Sequence, residues 1–99
     1  MKLVKIDENQ NRLEVGNRYD FLIEEMWNDA RDLSKYPLLR CVDPNQDTYF
    51  NEIQITFVVE ELKRLKDEIS SKDSKSDIDN LVEFLTKIKM HEFAKFESD

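Results

Sequence analysis

Ninety-nine residues, 39% of them apolar and ten of them aromatic, suffice for one hydrophobic core and are too rich in apolar groups for a disordered chain. A net charge of −7 argues against a reader of nucleic-acid phosphates, which needs clustered Lys and Arg. The single glycine excludes a glycine-rich phosphate loop.

Residues 2–6 and 12–15 are short apolar/polar runs flanking Asp7-Glu-Asn-Gln-Asn11, a stretch whose Asn and Asp tolerate turn conformations, so the domain opens with a β-hairpin. Gly16 follows the second run and can take a positive φ where the chain leaves the strand. Asn17 or Asp20 can then cap a helix. From Asp20 to Leu33, the residues Leu22, Met26, Ala30 and Leu33 fall on one stripe with Ile23 and Trp27 beside it, while Glu24, Glu25, Asp29 and Arg31 lie elsewhere; this predicts an amphipathic helix with Trp27 in the core. An exposed Trp27 would instead be a recognition anchor.

Residues 37–54 resemble neither an amphipathic helix nor a solvated linker, and hold both prolines, the one cysteine and an Asp/Asn cluster. Asp43 to Asp47 predicts a turn in which the two carboxylates accept backbone N–H bonds. Tyr49, Phe50 and Ile53 then return the chain to the core, with Arg40 held by a nearby carboxylate. Thr56 is the expected N-cap of a second helix running to about Ser70, with Val58, Leu62, Leu65 and Ile69 on its apolar face and Glu60–Arg64 and Lys63–Asp67 as pairs four residues apart.

Residues 70–76 are a polar connector, and Ser76 followed by Asp79 marks the capped start of a third helix. That helix carries Ile78, Leu81, Val82, Leu85 and Ile88 and ends near Lys89. The tail His91–Glu97 holds Phe93 and Phe96, rings worth about 1.5–3 kcal/mol each when buried. A closing strand beside the hairpin, making three strands, accounts for them; a continued third helix is the alternative.

Asp43, Asn45 and Asp47 match the first three ligand positions of a calcium loop, but the glycine position is Thr48 and the bidentate carboxylate position is Gln54, so no metal site is expected. Cys41 and His91 are the only residues of their types, a thiol and an imidazole that nothing in the sequence brings together. Cys41 reads as a buried small hydrophobe and His91 as a helix-end or surface residue. Two such ligands are too few for zinc, and with 22 acidic residues adjacent carboxylates have no diagnostic value. No catalytic residue and no cofactor is expected. One cysteine forms no internal disulfide, which suits a reducing cytoplasm; the N-terminus lacks a signal-peptide pattern and no segment has the length of a membrane span.

Pro37 to Arg40, Asp43-Pro44, Asp47-Thr48, Phe50-Asn51 and Gln54, continuing into an acidic helix, resemble a run shared by small uncharacterised bacterial proteins, with Gln46 standing where that pattern leads one to expect glycine. The resemblance covers about a quarter of the chain, implies no established activity and carries over no catalytic residue.

The fold expected is one compact α+β domain: an N-terminal β-hairpin, three amphipathic helices and a C-terminal strand completing a small sheet. The function expected is a non-catalytic, cytoplasmic protein-binding domain, with an immunity-type inhibitor of a basic toxin or nuclease as the sharper form, since acidic stoichiometric inhibitors use charge to accelerate association. Its binding residues would be Asp43, Asn45, Asp47, Tyr49 and Asn51, with the acidic helix faces. Two alternatives stand: a homodimer or larger adaptor associating around Trp27, and an enzyme using Cys41 or an acidic metal site. Nucleic acid and membrane are not expected partners.

Overall fold

The computed structural model describes residues 1–28 and 30–98. Its elements are β1 (Lys2–Asp7), β2 (Arg12–Arg18), α1 (Asp20–Met26), two 3-10 turns (Leu33–Lys35 and Leu39–Cys41), β3 (Thr48–Asn51), α2 (Glu52–Glu68), α3 (Lys72–Thr86) and β4 (Glu92–Glu97). The α+β class, the opening hairpin, the three helices and the C-terminal strand all match the sequence-based expectation. The sheet has four strands rather than three, in the antiparallel order β2-β1-β4-β3. The added strand is β3, a four-residue run too short to show an alternating pattern.

Residues paired across antiparallel strands share a face, so the register sorts the side chains. Leu3 pairs with Phe96, and Phe50 with Ala94; these four join the buried residues of all three helices in one core. Phe50 and Phe96 meet edge to face with ring centroids 5.8 Å apart. Val4, Lys95 and Tyr49 form a row on the opposite, outer face, and Ile6 and Phe93 form another. Of the two tail phenylalanines, Phe96 is therefore core and Phe93 a half-buried member of the outer face.

The apolar helical faces are as expected: Val58, Leu62, Leu65 and Ile69 are buried, as are Ile78, Leu81 and Leu85. The helix boundaries differ. α2 begins four residues ahead of Thr56, because Asn51 and Gln54 form a capping box: Asn51 Oδ1 accepts the Gln54 N–H at 2.8 Å and Gln54 Oε1 accepts the Asn51 N–H at 2.9 Å. Similarly, Ser71 rather than Ser76 caps α3 by accepting the Ser74 N–H, so most of the polar connector is helix and the link from α2 shrinks to a few residues. α3 stops at Thr86, short of Lys89.

α1 ends at Met26 instead of reaching Leu33. The Asn28 side chain accepts the Ala30 N–H, a local bond that competes with helix, and Arg31 turns back to donate from Nε to the Glu25 carbonyl, occupying a helix-end acceptor. Ala30 and Leu33 are consequently exposed, and so is Trp27, at 62%. Asp29, expected on the polar side of this helix, lies outside the described residues. Neither Asn17 nor Asp20 caps α1: the cap position is Tyr19, Asn17 donates to Asn80 and Asp20 receives the Met1 ammonium.

Gly16 lies within β2 with no positive φ. A Cβ there would stand 3.1 Å from the Phe84 ring and 3.2 Å from the Leu3 carbonyl oxygen, so close packing of α3 on the hairpin is what calls for glycine.

Candidate functional site

Most of the 43–51 segment serves the fold. Asp43 Oδ1 accepts the Asn45 N–H at 2.7 Å, closing the expected turn. Asp47 Oδ1 accepts the Ser98 N–H at 2.8 Å and Oδ2 lies 3.6 Å from Lys95 Nζ, tying the tail to the loop. The Ser98 amide, aided by the Ser98 hydroxyl and Lys95, holds the Asp47 carboxyl below the usual range despite some desolvation. Asn51 is the α2 cap. Asn45 and Tyr49 remain exposed, Tyr49 with its ring centroid 5.7 Å from Lys95 Nζ. Asp43 and Asp47 thus turn toward different partners. Among the described residues no three His, Cys, Asp or Glu side chains are grouped as a metal ion would require.

Cys41 is exposed rather than buried, on the second 3-10 turn, where Sγ donates to the Pro37 carbonyl. His91 is exposed on the turn entering β4, in the left-handed region at φ 67°, with Nδ1 against the Glu8 carboxylate. Cys41 is linked to Thr48, which pairs with Phe96 near the end of β4, whereas His91 precedes its start. About 17 Å of strand separates those two positions, so thiol and imidazole are not one centre. Among the described residues Arg40 has no carboxylate partner. The expected Glu60–Arg64 and Lys63–Asp67 pairs are likewise not among the ion pairs of the described residues. Only Phe50 of the expected returning trio is core; Tyr49 and Ile53 are 42% and 67% exposed.

Residues 31–41, which run from the expected end of the first helix into the 37–54 segment, are tightly fixed. Arg31 donates from Nη2 to Glu25 and from Nη1 to Glu68, both at 2.8 Å, and Glu68 also meets Lys35 Nζ at 3.3 Å. Arg64 Nη1 donates to the Lys35 carbonyl at 2.6 Å. Glu61, buried on α2, accepts the Leu38 and Leu39 N–H groups at 3.0 Å each. Tyr36 is fully buried, and its hydroxyl finds no well-formed hydrogen bond among the described residues. It approaches Glu68 nonetheless. Burial, then Glu68, pushes the phenol up to about 12, while the hydroxyl, followed by Arg31 and Lys35, holds the Glu68 carboxyl below its usual range.

On this framework sits a hollow of about 400 Å³ lined by Met26, Trp27, Asn28, Arg31, Leu33 and Arg40. Its apolar wall faces solvent: Trp27 is 62% and Leu33 40% exposed. Arg31 is neutralised by Glu25 and Glu68, whereas Arg40 on the rim has no carboxylate partner among the described residues. Trp and Arg are the residues most enriched where binding energy concentrates in protein interfaces.

No family model, curated protein or solved structure matches the chain.

Electrostatically the fold is layered in a way the even spread along the sequence hides. α1 carries three acidic and no basic side chains, α2 five acidic and three basic, and α3 four acidic and two basic. The helices together therefore hold −7, the net charge of the whole chain. The strands carry four acidic and five basic side chains and are nearly neutral. Trp27 did not stand out as a site because the stripe through Met26 and Leu33 placed it in the core of a longer helix, and Arg40 did not because a nearby carboxylate was expected to hold it. The one legible signal was Asn28 within that stripe, a residue that favours a local turn over helix. No helix among the described residues is long and apolar enough to cross a membrane.

Proposed function

We infer that the chain is a non-catalytic binding domain that engages a basic protein partner through its helical layer, in the manner of an immunity-type inhibitor of a toxin or nuclease. The observation that carries this reading is the placement of an exposed tryptophan at the end of α1, the helix with three carboxylates and no cation. Trp27 supplies apolar burial at low entropic cost, with only two side-chain torsions to fix. The −7 of the helical layer speeds encounter with a cationic surface and fixes its orientation, without itself needing to contribute much affinity. Arg40, on the rim of the hollow and without a carboxylate partner among the described residues, can take a carbonyl or carboxylate from the partner's edge. Asn45 and Tyr49 are the members of the 43–51 loop left available for contact.

The test is capture of partners from the native cell with the intact chain, in parallel with Trp27→Ala and Glu24→Lys. A specific partner is expected to be basic, to be lost or weakened by at least about tenfold with Trp27→Ala, and to associate more slowly with Glu24→Lys and with added salt. A partner bound equally by both variants, at a rate indifferent to salt, would overturn the assignment.

A further inference from the structure

The hollow beside Trp27 differs in polarity from the helical layer around it. Its apolar walls are Met26, Trp27 and Leu33, and its polar lining is the guanidinium groups of Arg31 and Arg40 and the side chain of Asn28. Asn28 gives its oxygen to the Ala30 N–H, so what remains on it is the donor NH2. A guanidinium has donors only. Although the chain has 22 acidic side chains, no carboxylate lines this hollow among the described residues. Glu25 and Glu68, which hold Arg31, are not part of the lining, and Arg40 has no carboxylate partner among the described residues.

A lining of donors turns away the cationic side chains of a basic partner, which find their match in the carboxylates of the helices. It suits an apolar group that carries an acceptor anion. A basic protein offers few side-chain carboxylates, yet its chain ends in one whatever its composition. That carboxylate shares a Cα with the last side chain, so a single terminal residue supplies both the apolar body and the anion. The volume of about 400 Å³, against the roughly 150 Å³ that accommodates a benzene ring, has room for one large side chain and the terminus attached to it.

We propose that the hollow receives the C-terminal residue of the partner polypeptide, its apolar side chain against Trp27 and Leu33 and its carboxylate on the Arg40 guanidinium. Capture of a chain terminus is a recurring mode of peptide recognition, and the planar fork of arginine matches a carboxylate with two parallel hydrogen bonds. This rests on the reading that Trp27 marks the partner-binding face, and it names the part of the partner that enters.

The peptide Lys-Ser-Lys-Ser-Phe, titrated into the intact chain as the free acid and as the C-terminal amide, tests this. Trp27 is the only tryptophan, so its emission reports occupancy of the hollow. Amidation makes the peptide more cationic, and attraction to a chain of −7 therefore favours the amide. The expected result is the opposite: a saturable change in emission, with the free acid bound about tenfold or more tighter than the amide. Arg40→Met should abolish that preference and Arg40→Glu should reverse it, with circular dichroism confirming that both variants are folded. Replacing the terminal Phe of the peptide by Gly should weaken the free acid. Equal binding of acid and amide, no saturable change with the free acid, or a preference kept by Arg40→Met would each overturn the proposal while leaving the binding-domain reading intact. Failure of that reading shows separately, as capture of a cellular partner indifferent to Trp27→Ala.

Discussion

Arg12 and Glu97 form an ion pair across an intervening strand, with Arg12 Nη2 2.9 and 2.7 Å from the two carboxylate oxygens. Arg12 stands opposite Ile6 on β2 and Glu97 opposite Lys2 on β4, so the pair crosses β1 above Val4. Val4 is fully buried although it lies on the face away from the helices. Long charged side chains cover apolar strand residues here in place of a second layer.

Breaking this cover should cost more than the ion pair itself. A double-mutant cycle on Arg12→Ala and Glu97→Ala should give a coupling of about 0.5–1 kcal/mol, because Arg12 is half exposed. Each single variant should lose somewhat more, through the uncovering of Val4 and, for Glu97, the loss of its 3.3 Å contact to Lys95. Chemical denaturation at low and high salt measures both terms, and only the coupling should shrink with salt.

Glu61 should prove the most important charged residue for stability. Glu61→Ala leaves the Leu38 and Leu39 N–H groups without their acceptor, and unsatisfied donors cost about 1–3 kcal/mol each, so a loss of about 2–4 kcal/mol is expected. Glu61→Gln keeps one acceptor and should lose less. Amide hydrogen exchange at Leu38 and Leu39 should accelerate in both, which separates loss of this cap from general destabilisation.

Alkaline pH should act through Tyr36. A phenol whose folded pKa is about 12, above the ordinary value near 10, contributes stability that is complete below about pH 10 and is lost as pH rises toward 12. Ultraviolet titration should show Tyr36 ionising near pH 12. Tyr36→Phe should remove that alkaline loss and change stability at neutral pH by less than about 1 kcal/mol, because the hydroxyl it deletes makes no well-formed bond.

The acid side should depend on Asp47 and Glu68, whose folded pKa values are both depressed. Their contribution is present above the ordinary carboxylate range and is lost as pH falls through the folded values. Asp47→Asn should therefore flatten the acid limb of a stability–pH curve. It should also loosen the C-terminal end of β4, visible as faster exchange of the Ser98 amide.

Asn51→Ala should destabilise the protein by about 1 kcal/mol through loss of the α2 capping box. Trp27→Ala, at an exposed site, should change stability by less than about 0.5 kcal/mol. The two residues thus separate structural from binding roles, and thermal melts compared with partner capture would expose a misassignment of either.

Periodicity alone determined the two long helices, since Val58, Leu62, Leu65, Ile69 and Ile78, Leu81, Leu85 bury whatever their neighbours do; alternation determined the hairpin, and the cost of exposing Phe93 and Phe96 determined that the tail packs, while only the register made Phe96 the core ring. Those are local patterns, complete within a few turns of chain. Residues whose environment is set by distant partners were decided only by tertiary structure. Trp27 is exposed because Arg31 reaches back to Glu25 and across to Glu68, ending α1 early; Glu61 is buried because its carboxylate meets amides 22 and 23 residues away. Charge followed the same division: the total was written in the composition, but its collection on the helical layer exists only once the near-neutral strands have paired into a sheet of their own.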